Sequence, residues 1–268
     1  MRKQVDVKVE SPITAVDALA SASGLPKQRI KDAMAKGACW WVQKGKQVRL
    51  RKAKRDLKPG TRIQLFYDDQ VLARTPEPPS LIENKGRYSV WFKPHGLLSQ
   101  GSQWGDHCSL LRIAETRLNH PCFLVHRLDA DAAGLMLIAH DGKAAAALSE
   151  LFAGRTMTKI YRATVTGALE SNQQLIDQAL DGKPSVSRVT TLEIQPEEPA
   201  RTLVEVAIET GRKHQIRRHL AGIGHAIVGD RLYGTPDAEG LQLVAIQLAF
   251  QCPFTGQHLT FSAPVPRP

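Results

Sequence analysis

The sequence predicts an α+β protein built on a mixed, largely antiparallel sheet. Segments with strand character outnumber segments with helical character, and the two kinds do not alternate regularly along the chain. A doubly wound parallel sheet would require such alternation, so the antiparallel arrangement is favoured. The 268 residues are 42% hydrophobic and 23% charged, which is sufficient for one large domain preceded by a small one.

Positive charge is concentrated in the amino-terminal part of the chain. Residues 1–70 contain 16 Lys and Arg against 7 Asp and Glu, a net charge of +9, whereas the whole chain carries +10. In the densest run, residues 44–55, Val48 and Leu50 alternate with cations at strand-like spacing. A positive field of this kind attracts phosphates and releases their counterions. The one-sided distribution therefore favours a nucleic-acid-binding domain over a merely solvated face.

Two helices are predicted in this small domain, at Ala15 to Ser23 and at Lys27 to Ala35, because apolar residues recur there at helical spacing. Gly24-Leu25-Pro26 separates them. Trp40 and Trp41 are predicted to be core residues, with base stacking as the alternative. The candidate RNA-binding residues of the domain are Arg29, Lys31, Lys44, Lys46, Arg49 and Arg51.

A stiff linker is predicted after the strand at Thr61 to Tyr67, because Pro76, Pro78 and Pro79 cannot continue a helix or a central strand. The predicted division is a small domain at 1–70, a proline-rich linker at 71–84 and a large domain at 85–268.

The large domain is predicted to be rich in strands. Thr202, Val204, Val206 and Ile208 alternate with polar positions, which is typical of a half-buried strand. One helix is predicted at Lys143 to Phe152 from its alanine-rich composition. The predicted strands are Tyr88 to Phe92, Leu135 to Ala139, Lys159 to Thr166, Val189 to Ile194, Arg201 to Thr210, Leu243 to Phe250 and His258 to Ser262.

Several classes of protein are disfavoured. No segment approaches the roughly 20 apolar residues of a membrane span, and no apolar stretch follows Arg2-Lys3 as a secretion signal would require. The four cysteines lie far apart, without a Cys-x-x-Cys pair, so neither a zinc site nor a disulfide framework is predicted. The expected location is the cytoplasm.

The most informative motif is His126-Arg127-Leu128-Asp129. It is followed by a turn of small residues that ends at Gly134 and then by the apolar run 135–139. An acid and a cation two residues apart, directly before a buried strand, form a rigid platform for one exposed carboxylate. Asp129 is therefore the candidate nucleophile or base.

A second motif predicts a buried cation. If a helix begins near Lys213, then Ile216, Arg217 and Leu220 share its face with Lys213. An unpaired buried charge costs several kcal/mol, so Arg217 needs an anionic partner. Asp129 is one candidate, and Asp230 or Glu209 in a purely structural pair is the other. Spacing alone does not decide between them.

Four segments of the large domain, in order, resemble the motifs of RluA-type RNA pseudouridine synthases. The resemblance extends over about residues 85–265. The matching segments are Lys93-Pro94-His95-Gly96, His126 to Asp129 with Gly134-Leu135, Lys159-Ile160-Tyr161-Arg162-Ala163, and Gly211 to Leu220 continued by Gly229 to Gly234.

The resemblance implies the pseudouridine synthase fold and an isomerase that needs no cofactor or metal. Such an enzyme breaks the bond between C1′ of ribose and N1 of uracil and rejoins the base through C5. Asp129 would be the catalytic aspartate, Tyr161 the ring stacked on the target base and Arg217 the partner of the aspartate. The residues implied to support or contact RNA are Arg127, His126, Lys93, Lys159 and Gln215.

The small domain resembles the S4-type RNA-binding module, which accompanies many enzymes that modify ribosomal RNA. Ribosomal RNA is accordingly the expected partner, with transfer RNA as an alternative, and the chain is expected to be a monomer. The match is partial, because Cys39-Trp40-Trp41-Val42 stands where that module usually carries a Val-Asn-Gly turn.

Two departures from the family pattern remove hydroxyl groups from the expected site. Ala132-Ala133 replaces a Thr-Ser pair, and Lys213 replaces a threonine. An inactive RNA-binding or ribosome-assembly factor on the same scaffold is therefore the alternative function. A glycoside hydrolase is disfavoured, because no second acid accompanies Asp129 in its motif.

Overall fold

The computed structural model describes residues 1–264 of the chain. Contacts divide the chain into two compact units. The amino-terminal unit consists of Met1–Pro76 and Gln100–Arg117, and the large unit consists of Glu77–Ser99 and the chain from Leu118 onward. Among the residues described, no helix is both long enough and apolar enough to cross a membrane.

The amino-terminal unit packs two helices on a four-stranded antiparallel sheet, with strand order β1-β6-β3-β4. The two helices span the residues predicted from the sequence. Thr14 caps the first, and Gly24, in a left-handed conformation, ends it. The elements are β1 (Arg2–Lys8), β2 (Ile13–Thr14), α1 (Ala15–Ser23), α2 (Lys27–Ala35), β3 (Cys39–Gln43), β4 (Lys46–Arg49), β5 (Asp56–Leu57), β6 (Arg62–Asp68), α3 (Asp69–Leu72) and α4 (Leu110–Leu118).

Residues 100–117 pack with the amino-terminal unit, whereas the sequence-based division assigns them to the large domain. Asp106 forms ion pairs with Arg49 and Arg51, and the Trp104 ring packs edge-on against Phe66, with 5.6 Å between ring centroids. These contacts join residues distant in sequence, so a local pattern cannot predict them.

The large unit contains a ten-stranded sheet, and its predicted mixed, mostly antiparallel character is confirmed. The main strand order is β12-β13-β14-β11-β15-β10-β8-β7, with β16 beside β15 and β9 beside β10. Only the β10–β15 pair is parallel among the strand pairs of the described residues. The elements are β7 (Ser80–Asn84), β8 (Tyr88–Lys93), β9 (Phe123–Leu124), β10 (Ala133–Ala139), α5 (Gly142–Ala153), β11 (Thr158–Thr166), β12 (Gln173–Asp177), β13 (Val186–Gln195), β14 (Arg201–Ile208), α6 (Gln215–Gly222), β15 (Leu243–Gln251) and β16 (His258–Ser262).

The strand β7 lies inside the segment predicted to be a linker. It pairs with β8 with a register shift between Leu81 and Glu83. The prolines of the segment all precede this strand, so they do not interrupt its hydrogen bonds.

Every residue of β10 is buried, and its glycine permits a close backbone approach. Gly134 has a φ of 124°. A Cβ atom there would lie 2.6 Å from the Cβ of Ala245 on β15 and closer still to the backbone N and O of Ala245. The site loop that precedes β10 is therefore anchored by a contact that excludes a side chain.

We expect Gly134→Ala to lower the free energy of unfolding by about 2–4 kcal/mol, because the added methyl overlaps backbone atoms and the left-handed φ disfavours alanine. Denaturant titration measures the loss. Gly142→Ala is the matched control, since no atom lies within 4 Å of its added Cβ. An unchanged unfolding midpoint for Gly134→Ala would show that β10 and β15 can separate without cost.

Candidate active site

The loop between β9 and β10 carries Asp129, and hydrogen bonds to buried groups fix its backbone. Leu128 is buried, and the hydroxyl of Ser99 both accepts a hydrogen bond from its N–H at 3.0 Å and donates one to its carbonyl at 2.7 Å. The carbonyl of Asp129 accepts from the N–H of Ala132 at 3.2 Å, which closes the turn. The carboxylate itself stays 28% exposed. The backbone is thus fixed while the acid reaches solvent.

Lys93 holds the same loop from inside the protein. Its side chain is fully buried. Its ammonium donates hydrogen bonds to the backbone carbonyls of Pro94, Leu97, Ala130 and Ala132, at 3.1, 2.8, 3.3 and 2.6 Å. Burial lowers the pKa of Lys93 to about 8, although the charges of Asp129 and Asp131 oppose that shift. Lys93, predicted among the residues that support or contact RNA, is therefore placed inside the protein, with its ammonium enclosed by backbone carbonyls.

Arg217 pairs with two of its three candidate partners, Asp129 and Asp230, and not with Glu209. Its side chain is 3% exposed on α6. One guanidinium nitrogen donates to Oδ2 of Asp129 at 3.2 Å. Nε and the other nitrogen donate to the two oxygens of Asp230 at 2.7 and 2.6 Å. The buried cation therefore links a fully enclosed acid to a solvent-accessible one.

The buried Arg217–Asp230 pair is ionised. The hydrogen bond to Asp230 is the main reason that the pKa of Arg217 is raised, with burial opposing it. Burial alone would raise the pKa of Asp230. The hydrogen bonds from Arg217 and from the N–H groups of Leu232 and Tyr233 outweigh burial, so this pKa is lowered. Asp230 is therefore a fixed anion that orients Arg217 toward Asp129.

Tyr161 lies on β11 next to an irregularity in the sheet. The pairing of β11 with β15 shifts register between Ile160 and Tyr161, and such a bulge re-aims the adjacent side chains. Burial raises the pKa of Tyr161 to about 12, and the charge of Asp129 adds to the shift. The phenol is therefore protonated at neutral pH.

A cavity of about 100 Å³ lies at this site in the large unit. Three sequence-predicted residues, Asp129, Tyr161 and Arg217, are brought together there. The exposed side chain of Arg127 also lines it. The other lining residues are Leu128, Ala132, Ile208, Gly211, Arg212, His214, Gln215, Ile216 and Leu243.

His214 contributes a polar contact to which the sequence did not assign a specific role. It precedes α6 in a left-handed conformation, with a φ of 54°. Its Nε2 lies 3.6 Å from Oδ1 of Asp129, and its Nδ1 lies 3.0 Å from the hydroxyl of Tyr233. Burial is the largest cause of its lowered pKa, and the charge of Asp129 opposes that effect. A left-handed backbone conformation at a residue other than glycine, next to an acid, marks a candidate functional residue. The sequence alone does not show this conformation.

Gln215 and His126 are engaged by the protein itself. The Gln215 amide is buried, donates to Val186 and Ser187 at 2.9 and 3.1 Å, and accepts from Thr210. Gln215, predicted among the residues that support or contact RNA, therefore has its amide satisfied within the protein. Nε2 of His126 accepts the N–H of Leu137 at 2.9 Å.

The cations of the amino-terminal unit divide into two groups. Arg49 donates to the carbonyls of Gly37 and Ser102 and stacks 3.9 Å over the Trp40 ring. Arg51 donates to Ala35 and pairs with Asp106. Arg49 and Arg51, both predicted to bind RNA, are therefore partly exposed side chains that already have partners within this unit. The other predicted RNA-binding cations of this unit, Arg29, Lys31, Lys44 and Lys46, are exposed.

Comparisons with known proteins identify the family of this chain. Residues 87–222 match the family model described as RNA pseudouridylate synthase. The chain is 36% identical over 185 residues to the dual-specificity RNA pseudouridine synthase RluA of Vibrio parahaemolyticus, covering 60% of this chain and 73% of that protein. It is 33% identical to ribosomal large subunit pseudouridine synthase D of Nitrosomonas europaea, covering 76% of this chain and 62% of that protein.

The fold has a solved counterpart in human RNA pseudouridylate synthase domain containing 1. The TM-score is 0.61 at 22% identity, covering 72% of this chain and 87% of that one. The sheet, the site and the matched sequence together define an RNA-modifying isomerase. The chain belongs to the RNA pseudouridine synthase family, among its RluA-type members.

Proposed function

We propose that this chain isomerises a specific uridine of ribosomal RNA to pseudouridine, with Asp129 as the catalytic carboxylate. The observation that carries the proposal is one cavity holding the Asp129 carboxylate, its buried partner Arg217 at 3.2 Å, and the Tyr161 ring. The name of the Nitrosomonas relative, a ribosomal large subunit enzyme, supports ribosomal RNA as the substrate.

The target uridine has to leave its base stack before it can be rotated. A base inside a helix is held on both faces, so the enzyme extrudes it or selects an unpaired one. Arg127 is exposed at the cavity and makes no hydrogen bond or ion pair with residues 1–264. Its free guanidinium suits the space from which the uridine has moved.

The chemistry breaks one bond, forms another and balances without a cofactor. The C1′–N1 bond breaks, the base turns, and a C1′–C5 bond forms. C5 then loses its proton while N1 gains one. Arg217 contacts Oδ2 of Asp129, and no hydrogen bond within residues 1–264 engages Oδ1. Oδ1 is therefore available to attack C1′ or to remove a ribose proton, and both routes fit this geometry.

Tyr161 is suited to stacking on a base rather than to acting as a general base at neutral pH. Its pKa is raised to about 12, so it would have to lose its own proton before it could accept the one from C5. Its flat face is the feature that a detached uracil can use. Asp129 or a water molecule then takes the C5 proton.

The amino-terminal unit is proposed to be an S4-like module that binds RNA through its exposed cations. Its two short helices followed by basic strands support this assignment. The chain is proposed to act as a monomer in the cytoplasm, where unpaired thiols such as its four cysteines persist.

We expect the double variant Lys44→Gln, Lys46→Gln to weaken RNA binding and to flatten its dependence on salt. Each phosphate contact contributes roughly 0.7–0.9 to the slope of log affinity against log salt, so two contacts contribute about 1.5. Binding titrations between low and moderate salt measure the slope. Lys85→Gln is the control, because Lys85 is already paired with Glu83 at 2.5 Å. An unchanged slope in the double variant means that these lysines do not touch phosphates.

The direct test of the proposed function is to map pseudouridines in total RNA from cells with and without this protein. A ribosomal uridine that is modified only in the presence of the protein supports the proposal. A transfer RNA uridine that depends on the protein would change the proposed substrate from ribosomal RNA to transfer RNA. Should no site depend on the protein while RNA binding persists, the chain is an RNA-binding factor on the same scaffold.

A further inference from the structure

A second and larger cavity adjoins the active-site cavity in the large unit. Its volume is about 450 Å³, within the range of ligand-binding clefts. The two cavities share five lining residues: Arg127, Tyr161, Ile208, Gly211 and Arg212. The remaining lining residues include Ser149, Phe152, Arg155, Lys159 and Thr210. A chain that enters one cavity can thus continue into the other.

The second cavity is lined by four cations and by no carboxylate. They are Arg127, Arg155, Lys159 and Arg212. The active-site cavity differs, since it contains Asp129. Unneutralised positive charge in a cleft costs free energy that a bound anion recovers.

Within the described part of the chain, none of the four cations pairs with a carboxylate. Lys159 donates to the backbone carbonyl of Glu209 at 3.2 Å, and Arg212 donates to that of Pro184 at 3.2 Å. Arg127 and Arg155 have no hydrogen bond or ion pair within residues 1–264. Burial lowers the pKa of Lys159, and the nearby charge of Arg155 lowers it further. The site is therefore positive and poised for a negatively charged group.

Two of the three aromatic rings that line the cavity already have an aromatic partner. The rings of His126 and Phe152 stack with centroids 4.2 Å apart and planes 21° from parallel. The backbone N–H of Leu137 donates to Nε2 of His126, and burial lowers the pKa of His126 to about 3, so its ring is neutral. The third aromatic ring of the cavity, Tyr161, is assigned to the target uracil, so a second nucleobase would find no free aromatic face, whereas a phosphate needs only the cations.

We propose that this second cavity binds the phosphodiester of a nucleotide adjacent to the target uridine. The inference rests on the proposed function, which puts the uridine in the neighbouring cavity. Arg155 and Arg212 then become RNA-binding residues that the sequence did not indicate. Arg127 and Arg212, which line both cavities, lie where the strand passes from one to the other.

The test crosses a protein variant with a neutralised phosphate. Stem-loop RNAs are prepared with a single uncharged methylphosphonate on the 5′ or the 3′ side of the target uridine. We expect one of these positions to weaken binding to the unaltered chain roughly fivefold to tenfold. Arg155→Gln should weaken binding of the unmodified RNA by a similar factor, and combining both changes should cause little further loss.

Lys143→Gln is the matched control, because Lys143 is exposed on α5, the helix that ends just before Arg155, and does not line the cavity. It should keep the full effect of the methylphosphonate. Arg155→Lys, which retains the charge, should recover most of the affinity. Additive losses for Arg155→Gln at both phosphate positions would overturn the proposal.

Binding is measured rather than turnover, so this result is separable from the proposed function. If cellular mapping finds no target uridine, a hairpin with an all-uridine loop serves as the probe, with methylphosphonates placed along the loop. Coupling with Arg155 in a chain that makes no pseudouridine would retain the phosphate site and reject the isomerase. Pseudouridine formation without coupling to Arg155 would retain the isomerase and reject the phosphate site.

Discussion

Asp129→Asn is expected to lower the rate of pseudouridine formation by at least about a thousandfold while RNA affinity changes little. The amide has nearly the same shape as the carboxylate but can neither attack C1′ nor accept a ribose proton. Single-turnover assays with the mapped RNA measure the rate, and a titration with the same RNA measures affinity.

The fold should tolerate this change. Arg217 keeps its two hydrogen bonds to Asp230, and Asp129 is partly exposed, so we expect a loss of at most about 1 kcal/mol in the free energy of unfolding. Asp131→Asn is the matched control, since Asp131 pairs with Arg231 at the surface. It should stay within about twofold of the unaltered rate. Product at a near-normal rate from Asp129→Asn would remove the carboxylate from its proposed role.

Asp230→Asn is expected to have the largest effect on stability. Asp230 is fully buried and makes two hydrogen bonds to Arg217. Breaking one side of such a pair leaves a buried charge and costs about 3–5 kcal/mol. Denaturant titration should show this loss, and activity should fall as well because Arg217 is no longer aimed at Asp129.

A second variant separates the buried charge from general damage. Adding Arg217→Met to Asp230→Asn removes the stranded cation and should restore much of the lost stability, since apolar groups of similar volume can replace a buried pair. Activity should remain low, because the partner of Asp129 is still missing. A loss below about 0.5 kcal/mol in Asp230→Asn alone would show that Arg217 is adequately balanced by Asp129.

The helices and central strands could be predicted because their signals are local. The spacing at Ala15 to Ser23 and the alternation from Thr202 to Ile208 describe one helix and one strand within a few residues. Short or irregular elements escaped, such as β9, which has two residues, and the bulge before Tyr161. Their conformations depend on partners far along the chain.

The candidate site shows the same division. Motifs indicated Asp129, Tyr161 and Arg217, and the need of a buried cation for an anion left Asp129, Asp230 and Glu209 as alternative partners. Local pattern could not show that Arg217 pairs with both acids, because Asp129 lies 88 positions earlier in the chain. It also could not distinguish Lys93, which is enclosed by carbonyls, from Lys44, which is exposed. A lysine looks the same in sequence whether its ammonium faces water or backbone.

The sequence by itself determined the fold class, the family and the groups able to carry the chemistry, because periodicity and motif spacing are properties of neighbouring residues. Only the tertiary structure decided which cations are neutralised and which remain free. Charge pairing depends on distances of a few ångströms between residues that the fold brings together. Those distances leave the second cavity positive and make Arg217 the bridge between a buried acid and an exposed one.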